Sequence, residues 1–293
     1  MNIVSALING LSLGSIYALI ALGYTMVYGI AKMLNFAHGD IIMVGAYSVF
    51  VFLGWWNMPI AAFAFAVVVC CALGFAVEKV AYKPLRGASP LAVLLTAIGV
   101  SYLLQGLAQM IFGSSSRVVD IAIRIDGNAG FELGGITVTY SAIVTLAVGI
   151  VLMAALTLFV GKTRTGKAML ALSEDRGAAQ LMGIDANRLI SLTFVIGSAL
   201  AAVAGVFYLM QVPVVTPTTG ALPGIMAFTA AVIGGIGSIP GAMLGGIILG
   251  LIEKLCMATP LNPFTTAIEF AVLILILLVR PTGLLGVKKS EKV

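Results

Sequence analysis

Long apolar runs separated by short polar interruptions set the pattern of this chain, at residues 3–30, 41–56, 60–80, 89–112, 139–160, 189–211, 222–236, 240–257 and 264–279. An α-helix needs roughly 20 predominantly apolar residues to cross a bilayer. Most of the runs approach that length, so the pattern predicts an all-α, polytopic transmembrane helical bundle of about eight to ten spans. The first run is long for one span, and the runs 222–236 and 240–257 are short and split by "GGIGSIPG", Gly234 to Gly241. Such Gly/Pro breaks predict discontinuous helices around a protected cavity, because lipid cannot satisfy the freed backbone groups. Each half has a long Gly/Ala-rich span, a polar break ("MLNFAHGD" early, "GGIGSIPG" late) and another Gly-rich span. An inverted repeat would give that pattern.

Composition agrees with the pattern. Hydrophobic residues make up 61% of the 293 and charged residues only 9%, where a soluble domain carries about 25% charged residues. Glycine is abundant, and the small-xxx-small pairs Gly10/Gly14, Ala201/Gly205, Gly241/Gly245 and Gly246/Gly250 suit close helix approach. The net charge of +5 forms no nucleic-acid-binding patch, because the basic residues sit at the ends of apolar runs. That placement orients the chain. Basic clusters at 79–86, 161–190 and after Arg280 predict cytoplasmic segments, with the N-terminus outside and the C-terminus in the cytoplasm. Trp55 and Trp56 then fall at the outer interface, and 113–138 forms an outer loop in which the alternating "VVDIAIRID" and turn-like "DGNAG" suggest a short hairpin or cap. No basic segment precedes the first run, whose first lysine is Lys32, so it reads as a retained span. Cys70, Cys71 and Cys256 read as buried free thiols.

Enzyme chemistry is absent from the sequence. There is no GxxxxGK[ST] loop, so the chain does not itself hydrolyse ATP, and the lone histidine makes no metal cluster. No cofactor or metal is expected. Two regions stand out instead. Asn35, His38 and Asp40 in "NFAHGD" are costly at membrane depth, so they either form a proton relay (His38 with Asp40) or cap broken helix ends. With Gly234, Gly235 and Gly237 of the later break they are the candidate pathway residues. The loop 161–190 shows a helix-like period in Ala168, Leu172, Ala178, Ala179 and Met182, with Gly183 as a helix stop. It reads either as a helix inserting into a groove on a partner or as one lying on the membrane.

The segments "MLNFAHGDIIMVGAY", "AYKPLRGASPLAVLLTAIGVSYLLQG", "SEDRGAAQLMGIDANRLISLTFVIGSALAAVAGV", "AFTAAVIGGIGSIPGAMLGGIILGLIE" and "LLVRPTGLLG" resemble the branched-chain amino-acid ABC transporter permeases of the LivH type, from about residue 4 to 287. The resemblance implies one transmembrane permease domain over 1–293, in a bacterial cytoplasmic (inner) membrane. It implies an importer of two homologous permease subunits, two cytoplasmic ATP-binding subunits and a periplasmic or lipid-anchored substrate-binding protein. The loop 161–190 would then be the segment that couples to the ATPase. Of the EAA-x3-G coupling pattern Ala178, Ala179 and Gly183 align, while Gly177 stands in the glutamate position and Thr193 and Val195 replace the downstream I-x-LP element. Glu174 and Asp175 are the candidates for polar contacts with the ATPase. The family carries leucine, isoleucine and valine, with relatives moving other amino acids, amides or urea. A proton-coupled secondary transporter using His38 and Asp40 is the alternative.

Overall fold

The computed structural model describes residues 3–119, 130–133 and 136–286. Eleven α-helices run in order among them: α1 (Ile3–Ala31), α2 (His38–Trp55), α3 (Pro59–Val77), α4 (Pro90–Phe112), α5 (Tyr140–Lys162), α6 (Arg164–Glu174), α7 (Arg176–Leu181), α8 (Ala186–Gln211), α9 (Ala221–Gly234), α10 (Ile239–Met257) and α11 (Thr265–Val279). Eight of the described helical segments are long and apolar enough to cross a membrane, and α9, at 14 residues, is shorter. The expected polytopic α-helical bundle is therefore the observed one.

Local chemistry sets where several helices begin. Ser89, Thr163, Asp175, Asp185 and Ser238 each accept a backbone N–H one turn on, at the starts of α4, α6, α7, α8 and α10, and proline occupies the first turn of α3, α4 and α10. The glycine pairs then bring helices together. Gly10 and Gly14 on α1 interlock with Gly246 and Gly250 on α10: a Cβ on Gly14 would lie 2.8 Å from the Ile247 Cα, and one on Gly250 would lie 2.6 Å from the Gly10 carbonyl oxygen. This is small-residue packing at backbone distance.

The packing order is that of an inverted repeat. The quartet α1–α4 and the quartet α8–α11 are joined through α5, α6 and α7. In the first, α2 packs on α3 and α4; in the second, α9 packs on α10 and α11. Across the two, α1 packs on α10 as α8 packs on α3, and α1 meets α8. Contacts run Gly14–Ile247 and Ala18–Gly246 between α1 and α10, and Ser12–Gln211 and Gly23–Gly197 between α1 and α8, so both pairs are antiparallel. The early break finds its counterpart in 212–220, before α9, and not in "GGIGSIPG". The reason is local: 212–220 carries the chain back into the bundle as 32–37 does, whereas Gly234–Gly241 makes a helix–helix turn at one end.

That end carries Ala31, Leu85, Pro90, Lys162 and Ala186, and every described Lys and Arg except Arg117 and Lys254; we call it the basic end. The opposite end carries the exposed Trp55 and Trp56. Two short ladders lie there: β1 (Arg117–Val118) pairs antiparallel with β4 (Val214–Val215), and β2 (Gly130–Leu133) with β3 (Ile136–Thr139). Most of the alternating stretch and turn signal at 118–130 lies outside the described residues, and the observed hairpin strands follow it.

Candidate functional site

The early break sits inside the bundle. α1 ends at Ala31, Lys32 takes a φ of 56°, and the chain climbs back so that His38, the first residue of α2, lies against Gly23. Eight residues of α1 separate Gly23 from Ala31, about 12 Å along the helix. α2 therefore starts near mid-depth, as does α9. The Gly39 backbone meets Gly220 and Gly224: a Cβ on Gly39 would fall 3.2 Å from the Gly224 Cα, and one on Gly224 would fall 2.8 Å from the Gly39 Cα. Two helix N-termini from the two quartets thus face each other, backbone to backbone.

The polar residues of the break face different neighbours. Asn35, 2% exposed, accepts a 2.8 Å hydrogen bond from the Tyr82 hydroxyl. Asp40, 1% exposed, accepts from the Ser101 hydroxyl and, at 2.9 Å, from the Gln105 amide, both on α4. Its place in the first turn of α2 also suits the helix dipole. His38 packs its ring 4.7 Å from that of Tyr24, and its buried Nε2 has no hydrogen-bond partner among the described residues. His38 and Asp40 are two apart on one helix, a spacing that does not bring side chains together. One faces α1 and the other α4, so they form no relay. Neither side chain caps α2, whose N-cap is Ala37.

Aromatic rings close the junction on its basic side. Phe228 on α9 packs against Tyr24 and Phe36, at ring separations of 5.9 and 5.1 Å. The space among Tyr24, Tyr28, Asn35, Phe228 and Ile236 has no room for a water. The later break lies elsewhere. Gly234, Gly235 and Gly237 make the α9–α10 turn at the basic end, with Gly237 beside Gly29, and Gly235 and Gly237 at φ values of 107° and 98°. The segment after α11 caps this turn: the Leu284 N–H donates to the Ile233 carbonyl and the Leu285 N–H to that of Gly234, both at 2.9 Å. The six pathway candidates therefore form two groups, and only Asn35, His38 and Asp40 lie at mid-depth.

The loop 161–190 folds as α6 and α7 at the basic end. Met169, Leu172 and Ala179 are buried against the bundle. Gly183 adopts a φ of 80° and closes α7, with its N–H bonded to the Gln180 carbonyl and the Ile184 N–H to that of Ala179, a Schellman end. Asp175 uses Oδ1 to cap α7 at 3.0 Å. Glu174 and Ala178 are exposed, and at the tip Leu181 and Met182 are 91% and 83% exposed.

Sequence reasoning missed the groups that tie this loop to the bundle. Glu78, fully buried in the π turn that ends α3, pairs with Arg86 and accepts a 2.6 Å bond from Ser191; Arg86 also reaches Asn187. Ser191 and Asn187 lie in the first turns of α8, just after the loop. A lone glutamate within an apolar run was the signal. Ser101 and Gln105, at i and i+4 on α4, were legible as a polar stripe in a span.

A family model described as the permease component of branched-chain amino acid transport systems matches residues 6–277. The chain is 46% identical to the Pseudomonas aeruginosa high-affinity branched-chain amino acid transport system permease protein BraD, covering 98% of this chain and 97% of that one. It is 44% identical to LivH of Escherichia coli, a permease protein of the same description, over 97% and 96% of the two chains. A probable branched-chain amino acid transport permease protein of Methanocaldococcus jannaschii is 31% identical, over 93% and 89%.

Proposed function

This chain belongs to the family of branched-chain amino acid transport permeases, and from that premise we propose that it is the membrane-spanning permease subunit of an ABC importer. It forms an alternating-access pathway for branched-chain or related amino acids as a single domain and hydrolyses no ATP itself. Its partners are a second homologous permease, two ATP-binding subunits on the cytoplasmic side and a substrate-binding protein outside. The basic end faces the cytoplasm, as the concentration of Lys and Arg there supports, so the N-terminus lies outside.

The observation that carries the reading is the meeting of α2 and α9 at mid-depth. Helix N-termini carry partial positive charge, which suits the carboxylate of an amino acid, and half-inserted helices from inverted repeats meet at the midplane sites of transporters. In this structure the junction is shut around Gly39, Gly224 and Phe228. Rocking one quartet against the other about that contact would open it to each side in turn. The drive enters at α6–α7, where Leu181, Met182 and Glu174 offer an exposed apolar and acidic tip to the ATPase. Glu78 and Arg86 pass the motion on, because they join α3 of one quartet to α8 of the other. His38 and Asp40 face different helices, so the proton-coupled alternative has no geometric support.

The test is co-purification from the native membrane with a tag on this chain. ATP-binding subunits and a second similar permease are expected to come with it in a 2:2 core; recovery of this chain alone, under mild detergents, would refute the assignment.

A further inference from the structure

The first turn of α2 leaves one amide open. The His38 N–H donates to the Asn35 carbonyl at 3.1 Å, and those of Asp40 and Ile41 donate to the Ala37 carbonyl at 3.0 and 3.2 Å. The Gly39 N–H has no backbone acceptor among the described residues. The N-cap, Ala37, has no side-chain oxygen to offer it. What faces that amide is the hydroxyl of Tyr24 on α1. The point where a Cβ on Gly224 would sit lies 3.4 Å from the Gly39 nitrogen and 3.5 Å from the Tyr24 hydroxyl oxygen, so both meet at the α2–α9 junction. The ring holds the hydroxyl there. Tyr24 is 5% exposed and packs 4.7 Å from the ring of His38 on α2 and 5.9 Å from that of Phe228 on α9. One side chain of α1 thus touches both half-inserted helices.

A free N–H at a helix N-terminus draws an acceptor, and a carboxylate is a stronger one than a neutral hydroxyl. We propose that Tyr24 is an internal stand-in for the substrate: in the empty, shut junction its hydroxyl oxygen holds the place at the Gly39 N–H that the substrate's carboxylate takes on opening. The inference rests on the transport reading, and it adds which amide receives the carboxylate and which residue yields to it. The two occupants exclude one another. Without substrate the hydroxyl satisfies Gly39 and ties α1 to α2 and α9. A carboxylate displaces it and frees the ring from between His38 and Phe228. A ligand without a carboxylate gains nothing at this amide.

The test is hydrogen–deuterium exchange of this chain in its assembly, followed by mass spectrometry over residues 36–41, with leucine, with leucinamide (which lacks the carboxylate) or with neither. Tyr24→Phe keeps the ring and removes the oxygen. Exchange at Gly39 should rise about tenfold in that variant, as expected of a buried donor left unpaired; leucine should reverse the rise and leucinamide should not. Tyr47→Phe, which removes a buried hydroxyl elsewhere on α2, should change nothing. Unchanged exchange in Tyr24→Phe would overturn the proposal, as would equal protection by leucine and leucinamide. A rise that leucine does not reverse would overturn it too. Leucine uptake by the wild-type assembly then separates the two readings: uptake without protection at Gly39 discards the stand-in alone, and no uptake discards the transport reading with it.

Discussion

Gly39 at the start of α2 and Gly224 in the first turn of α9 touch so closely that a Cβ on Gly224 would lie 2.8 Å from the Gly39 Cα. The two quartets are in backbone contact at mid-depth, so a single methyl group there forces them apart. Gly224→Ala is expected to destabilise the chain by about 1–3 kcal/mol, the usual range for overpacking, and to lower substrate uptake about tenfold or more at unchanged membrane insertion. Gly54→Ala, with open space around it, is the control. Uptake and melting temperature together check this, and a wild-type Gly224→Ala would mean that the contact is neither tight nor part of the pathway.

The Glu78–Arg86 pair predicts a marked asymmetry between single and double substitutions. Arg86→Met strands a fully buried carboxylate, at about 3–5 kcal/mol by analogy with broken buried pairs. Adding Glu78→Gln removes the stranded charge and should recover a large part of the loss. A double-mutant cycle of thermal unfolding in detergent measures it. Additive losses would show that the two side chains are not coupled.

Among the described residues no carboxylate lies against His38, and its Nε2 makes no hydrogen bond. His38→Gln, similar in volume, should leave the pH dependence of uptake unchanged over roughly pH 6 to 8, the range in which histidine titrates. Flattening of that profile in the variant would restore the proton relay.

Leu181 and Met182 project from α7 with almost nothing against them. A Leu181→Ser/Met182→Ser variant should fold and insert normally yet lose about tenfold or more of its recovery of ATP-binding subunits, since burying each such side chain is worth about 1.5–3 kcal/mol. Gly183→Ala acts through the backbone instead, with a penalty of about 1–2 kcal/mol at a φ of 80°. Gly183→Asn should fall between it and the wild type. Pull-down yield separates the two effects, and full recovery in the serine variant would leave the tip without a docking role.

Much of this architecture was legible because its causes are local. Spanning length, caps such as Ser89 and Asp185, and the Gly10/Gly14 and Gly246/Gly250 spacings are all written within one helix. The early break was legible from Asn35, His38 and Asp40, because three polar groups between apolar runs demand partners. Which partners they take was not. Asp40 finds Gln105 and Asn35 finds Tyr82, 65 and 47 residues away, and no spacing rule reaches that far. The second break was misplaced for the same reason. "GGIGSIPG" looks like an interruption inside a span, yet the segment after α11 satisfies the carbonyls of Ile233 and Gly234, where α9 runs into it at the basic end. The re-entrant piece, 212–220, carries no charge to draw attention to it.

Uptake of labelled leucine into proteoliposomes tests the central assignment most directly, with this chain reconstituted alone or with its co-purifying permease, ATP-binding subunits and binding protein. Leucine is expected to accumulate only in the complete assembly, and only with ATP on the side that bears α6 and α7. Accumulation by this chain alone under a pH gradient, without ATP, would contradict it.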